Sequence, residues 1–216
     1  MGGFTLSIFL LSLGLTFNSA LDTLIPQAYG QKDLRLCRLY LNRQLYLTTI
    51  VFFILAVPLL FVEQGLLFFY EPHIVSQAAI YVKVIIPGVL FYSWQSCLGR
   101  FLSGQGITVV SMYSNGIATF FHIAVAIALT SWLDLGMLGV SIATSLHFFM
   151  RFAVTIGYIR FSGKFDDPIY NVPFNDPDNF KLWKPQFIQS LQCMSLSVWS
   201  WWAMDVFTVL ASNMGD

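Results

Sequence analysis

Six stretches of this sequence, residues 3–21, 44–62, 84–99, 101–133, 135–150 and 185–204, contain no Asp, Glu, Lys or Arg. A run such as 3–21, nineteen residues, spans about 28 Å as an α-helix, close to the ~30 Å hydrocarbon thickness of a bilayer. Lipid offers no partner for backbone polar groups, so such segments must bond within themselves as helices. The expected fold is therefore all-α and polytopic, with about six transmembrane helices near 4–28, 44–62, 75–98, 105–131, 136–159 and 186–211. Hydrophobic residues make up 56% of the chain and charged residues 10%, against roughly a quarter charged in a soluble domain. A soluble fold is excluded on that balance.

The charges that remain are one-sided. Lys32, Arg35, Arg38 and Arg43 fall in the first loop, Arg100 in the third, and Arg151, Arg160, Lys164, Lys181 and Lys184 in or beside the fifth. The second loop carries Glu63 and Glu71, and the fourth Asp134. Only Lys83, inside the third span, departs from the pattern. Cytoplasmic loops carry the excess of Lys and Arg, which predicts a cytoplasmic basic side and a first residue outside. The first span has no basic segment before it and no Ala-x-Ala cleavage site, so it reads as a true span and not a signal peptide. Both ends of the chain read as cut. The hydrophilic stretch after residue 159 contains Asp166-Asp167-Pro168 and Asn175-Asp176-Pro177-Asp178, combinations that favour turns. The expected organisation is a five-helix unit over 1–159, a cytoplasmic linker over 160–185 and a sixth helix over 186–216 that opens a second bundle.

Polar groups inside a membrane are costly and mark packing contacts or transport pathways. In the first helix Ser12, Thr16, Ser19, Thr23 and Gln27 share one face, with Asn18 and Asp22 on the adjoining stripe. This face is expected to pack on protein or a watery cavity. For Asp22 and Gln27, holding the first basic loop and contacting a substrate are both open. In the fourth helix Ser111, Asn115, Ala118 and His122 form a stripe, and the fifth offers Gly136, Gly139, Ser141, Ala143 and Ser145 for close approach. His73 and His147 fall near the ends of their spans. The last helix carries Trp199-Ser200-Trp201-Trp202-Ala203-Met204-Asp205. A carboxylate at the depth of Asp205 is protonated, paired or in a wet cavity. Trp residues favour membrane interfaces, and an aromatic wall beside a carboxylate also suits an organic cation.

The segment Ala20-Leu21-Asp22-Thr23-Leu24-Ile25-Pro26-Gln27-Ala28-Tyr29-Gly30 resembles a second-helix signature of the eukaryotic multidrug and toxic compound extrusion family. Ile86-Pro87-Gly88, Arg100-Phe101-Leu102 with Gln105, and Leu135-Gly136 to Ala143 agree in order and spacing. Trp201-Trp202 with Asp205 is similar to the family's seventh helix. The resemblance implies helices two to seven of a twelve-helix, two-lobed antiporter that expels small organic compounds, organic cations among them, by alternating access. Proton or sodium would be the coupling ion, and the plasma membrane or a vacuolar-type membrane the location. The candidate pathway residues, from the polar positions within the spans and this resemblance together, are Asp22, Gln27, Asn115, His122, Ser200, Trp201, Trp202 and Asp205. Ser200 stands where the family motif has glutamate, and Asp205 is the shorter acid. Ile107-Thr108-Val109-Val110-Ser111 lacks the proline usual after the fourth-helix glutamine.

Two other readings stay open at this level: a non-transporting membrane subunit that keeps one such lobe, and a lipid flippase-like protein. A flippase cavity would carry several cations for phosphate, whereas Lys83 is the one base within the spans. Cys37, Cys97 and Cys193 lack metal-ligand or disulfide spacing, and no nucleophile–base pair or phosphate loop is present. No cofactor, metal, nucleic acid or enzymatic activity is expected.

Overall fold

The computed structural model describes residues 16–61, 63–64, 72–165, 172–196 and 199. A 3-10 turn, Asn18–Ala20, leads into α1, Leu21–Gly30. There follow α2, Leu34–Leu60; α3, Pro72–Ser103; α4, Val109–Ile127, extended by a π turn over Ala128–Trp132; and α5, Gly136–Phe161. After a second 3-10 turn, Pro177–Asn179, α6 covers 183–196. Among the described residues all regular structure is helical. Among the described residues four segments are long and apolar enough to span a membrane, Leu34–Leu60, Ala78–Ser103, Val109–Trp132 and Gly136–Phe161. The first and sixth expected spans lie partly outside the described residues.

The freedom from charge that located the spans misplaces three of their starts. The second helix was expected from residue 44, yet α2 begins ten residues earlier, at Leu34. Asp33 caps it, its side chain accepting from the Leu36 amide at 2.9 Å. Arg35, Arg38 and Arg43 are thus helical, and two of them are bonded by the segment before α6. Arg35 pairs with Asp176 and Asp178 at 3.1 and 2.7 Å, and Arg43 donates to the Asp178 and Asn179 carbonyls. Asn42 and Tyr46 reach the Val172 and Phe174 carbonyls. Residues 172–180 are therefore docked along α2. The third helix likewise starts three residues early and ends five late, and α4 starts four residues late, after a turn with Gly106 at φ 79.

Close backbone approach holds the bundle together, as expected where lipid supplies no hydrophobic drive between helices. Gly88 of α3 sits so near α5 that a Cβ there would lie 2.7 Å from the Ser145 Cα. Beside it the Ser145 hydroxyl donates to the Val84 carbonyl at 3.0 Å, in the turn where Pro87 has no N–H to offer. Gly139 meets the backbone of Leu129. At the basic end Leu21, Ile25, Cys37, Leu41, Phe101 and Leu102 form a buried apolar cluster, and Leu59, Val75, Ala79 and Val82 form one at the other end. Lys83, the base inside a span, pairs with Glu63 at 2.9 Å.

Candidate functional site

Between these clusters α1, α2, α3 and α6 meet around polar side chains. Asn18, Gln44 and Ser190 are fully buried, and Thr48, Ser93 and Gln186 nearly so. The Asn18 amide donates to the Ser93 carbonyl at 3.1 Å. Its oxygen accepts from Gln44 at 3.2 Å and from the Thr48 hydroxyl at 2.6 Å. The Gln44 amide also donates to the Phe17 carbonyl. Its oxygen accepts from Gln186 at 3.0 Å and Ser190 at 3.2 Å, and Gln186 further donates to the Tyr40 carbonyl. Buried polar atoms need partners, and neighbouring helices supply most of them here, the Gln186 side-chain oxygen being without one among the described residues. The network consists of amides and hydroxyls. It can fix the relative positions of four helices and bind neutral donors or acceptors, but it holds no proton that titrates near neutral pH.

This network is what sequence reasoning missed. Its signal was nevertheless present: Gln44 and Thr48, and Gln186 and Ser190, are polar pairs one helical turn apart inside uncharged runs. The polar face of the first helix is divided between buried and open positions. Thr23 and Gln27 are exposed, while Phe17, Asn18, Leu21, Ile25 and Ala28 are buried. Thr23 accepts from Gln189 of α6 at 2.7 Å.

Asp22, in the first turn of α1, accepts a hydrogen bond from Arg100 at the end of α3. Arg100 in turn reaches the Ser96 hydroxyl at 3.3 Å. The acid thus ties α1 to the third basic segment, and not to the first loop. Gln27 has no side-chain hydrogen bond among the described residues. On α4 the packed stripe is Val110, Ser114 and Ala118, which leaves Asn115 one position off it and exposed. His122 is half-buried and stacks edge-on against His147, ring centroids 5.4 Å apart. His147 lies halfway along α5, which runs on to Phe161 through Arg151 and Arg160. Its Nδ1 meets the Ala118 carbonyl at 3.1 Å, which can only accept, so this nitrogen carries the proton. Asp22, Asn115 and His122 are therefore not brought together. Ser200, Trp201, Trp202 and Asp205 lie outside the described residues.

Residues 2–128 match the MatE family model. Protein DETOXIFICATION 18 of Arabidopsis thaliana is 27% identical over 199 residues, which cover 91% of this chain and 42% of that protein. Protein DETOXIFICATION 16 of the same plant is 29% identical over 145 residues, 67% of this chain and 30% of that protein. The crystal structure of the eukaryotic MATE transporter AtDTX14 has the same fold, with a TM-score of 0.83 at 21% identity over 93% of this chain and 44% of that one. The chain spans less than half the length of these relatives. With apolar helices long enough to cross a bilayer, a fold shared with part of a solved eukaryotic MATE transporter, and a family match over more than half of its length, the chain is an integral membrane protein that belongs to the MatE family of transporters.

Proposed function

We propose that this chain serves in a cation-coupled antiporter, with a proton as the coupling ion as the family resemblance implies, that exports small organic compounds, with its basic end in the cytoplasm. The observation that carries this reading is the bonding of α6, the first helix of the second lobe, to α1 and α2 through Gln186, Gln189 and Ser190. Alternating access requires the lobes to move against each other, and this contact is where the first lobe holds the second. The names of the DETOXIFICATION relatives support the export of harmful compounds. Asp205 is the coupling acid in this reading. Asp22 is already paired with Arg100, and the buried network carries no charge. Trp201 and Trp202 supply an aromatic surface for an organic cation, Ser200 a hydroxyl, and Gln27, Asn115 and His122 line the route at the membrane's depth.

The test is uptake driven by a pH gradient in vesicles holding the full-length protein. Asp205→Asn keeps the size and hydrogen-bonding capacity of the side chain and removes the charge. Transport should fall to background while the amount of folded protein stays the same; gradient-driven uptake equal to that of the parent would place coupling elsewhere.

A further inference from the structure

A groove of about 470 Å³ runs between α2, α3 and α5 and is closed at one end by residue 174. Leu45, Thr49, Trp94, Leu98, Phe152 and Phe174 line it. The polar atoms in this wall are engaged: the Trp94 indole donates to the Thr49 hydroxyl at 2.9 Å, Thr49 donates to the Leu45 carbonyl at 2.7 Å, and Tyr46 donates to the Phe174 carbonyl at 3.0 Å. What faces the space is apolar. Its rim is open, with Ile50 57% and Ile156 41% exposed. On α2, Leu45 and Thr49 are each one position on from Gln44 and Thr48, so the groove lies beside the stripe that carries the polar network.

Arg38 completes the site. It precedes Leu45 by seven residues and Thr49 by eleven, the spacing that keeps side chains on one helix face, and lies about 10 Å from Leu45 toward the basic end. Its guanidinium sits 5.9 Å from the centre of the Phe174 ring, the residue that closes the groove. Neighbouring Arg35 and Arg43 are satisfied by Asp176, Asp178 and two backbone carbonyls. Arg38 has no carboxylate among the described residues, and its Nε is buried without an acceptor. A desolvated guanidinium without an anion is costly. With 27 residues, α2 is about 40 Å long and exceeds the hydrocarbon by roughly 10 Å, which sets Arg38 at the level of lipid headgroups and the groove at the level of acyl chains.

We propose that this groove binds one anionic phospholipid, its phosphate on Arg38 and an acyl chain between Leu45, Trp94 and Phe152. A guanidinium suits phosphate through paired N–H donors. Free phosphate would satisfy Arg38 and leave the apolar volume empty, whereas a zwitterionic lipid would fill the volume and bring an opposing cation.

Trp94 is a reporter inside the site. The protein is reconstituted in vesicles of phosphatidylcholine and phosphatidylglycerol in which one lipid or the other carries brominated acyl chains, and bromine quenches tryptophan on contact. The quenching attributable to Trp94 is the difference between the parent and Trp94→Phe. It should favour brominated phosphatidylglycerol about tenfold over phosphatidylcholine, the lower end of what one charge-assisted hydrogen bond supports. Arg38→Gln should abolish the preference and leave quenching by the two lipids equal, while Arg38→Lys, which keeps the charge, should retain part of it. Excess inorganic phosphate should not reduce it. Equal quenching in the parent, a preference that survives Arg38→Gln, or its loss to inorganic phosphate would each overturn the proposal.

Discussion

Asn18 makes three hydrogen bonds through one side chain, to Ser93, Gln44 and Thr48. Removing it leaves a donor on α2, a hydroxyl on α2 and a carbonyl on α3 without their partner. Single interhelical hydrogen bonds in membranes average about 0.6 kcal/mol, and stranding buried groups adds to the loss. Asn18→Ala should therefore lower unfolding stability by about 1–2 kcal/mol, measured by denaturant titration in detergent micelles. Asp22→Asn, which leaves an oxygen for Arg100 and removes one half-exposed charge, should cost less than ~1 kcal/mol.

At the scale of helices, glycines in the same bundle differ in what surrounds them. A Cβ on Gly88 would meet the Ser145 backbone, while one on Gly116 of α4 would meet nothing within 4 Å. Gly88→Val should destabilise by about 1–3 kcal/mol through overpacking; Gly116→Ala should be neutral or stabilising by up to ~1 kcal/mol, since Ala is the better helix former. Thermal unfolding of the two variants in parallel checks the contrast. The docked segment before α6 has its own signature. Lys181 and then Arg35 hold the Asp178 carboxyl below its ordinary value of 3.8. The group is charged in both folded and unfolded chains at neutral pH, so its contribution is fully present above the unfolded value and is lost as pH falls through the lower, folded one. Proteolysis of residues 172–184 should be unchanged from about pH 8 to pH 5 and rise only below about pH 4.

For the whole molecule, the basic residues at one end predict that single cysteines placed in 30–43 or 160–184 resist an impermeant thiol reagent outside intact cells, while one near residue 65 reacts; labelling of 160–184 would reverse the orientation. The number and order of helices were legible in the sequence because each span is a long run free of charge. Their ends were less so: Arg35 and Arg43 look like loop residues until the carboxylates of Asp176 and Asp178 meet the first and the carbonyls of Asp178 and Asn179 the second, about 140 positions away. The site was half legible for the same reason. Asn18 was flagged as a polar stripe residue, but its importance depends on partners from two other helices, and no periodicity along one helix encodes that.

The buried network has a further consequence. Its members are amides and hydroxyls, so making or breaking the Gln44–Gln186 and Gln44–Ser190 bonds displaces no net charge along the membrane normal. An electric field does work only on charge that moves, about 2.3 kcal/mol per elementary charge per 100 mV. The breaking of these contacts is then by itself electrically silent, and any voltage dependence of the separation of α6 is carried by charges outside the network.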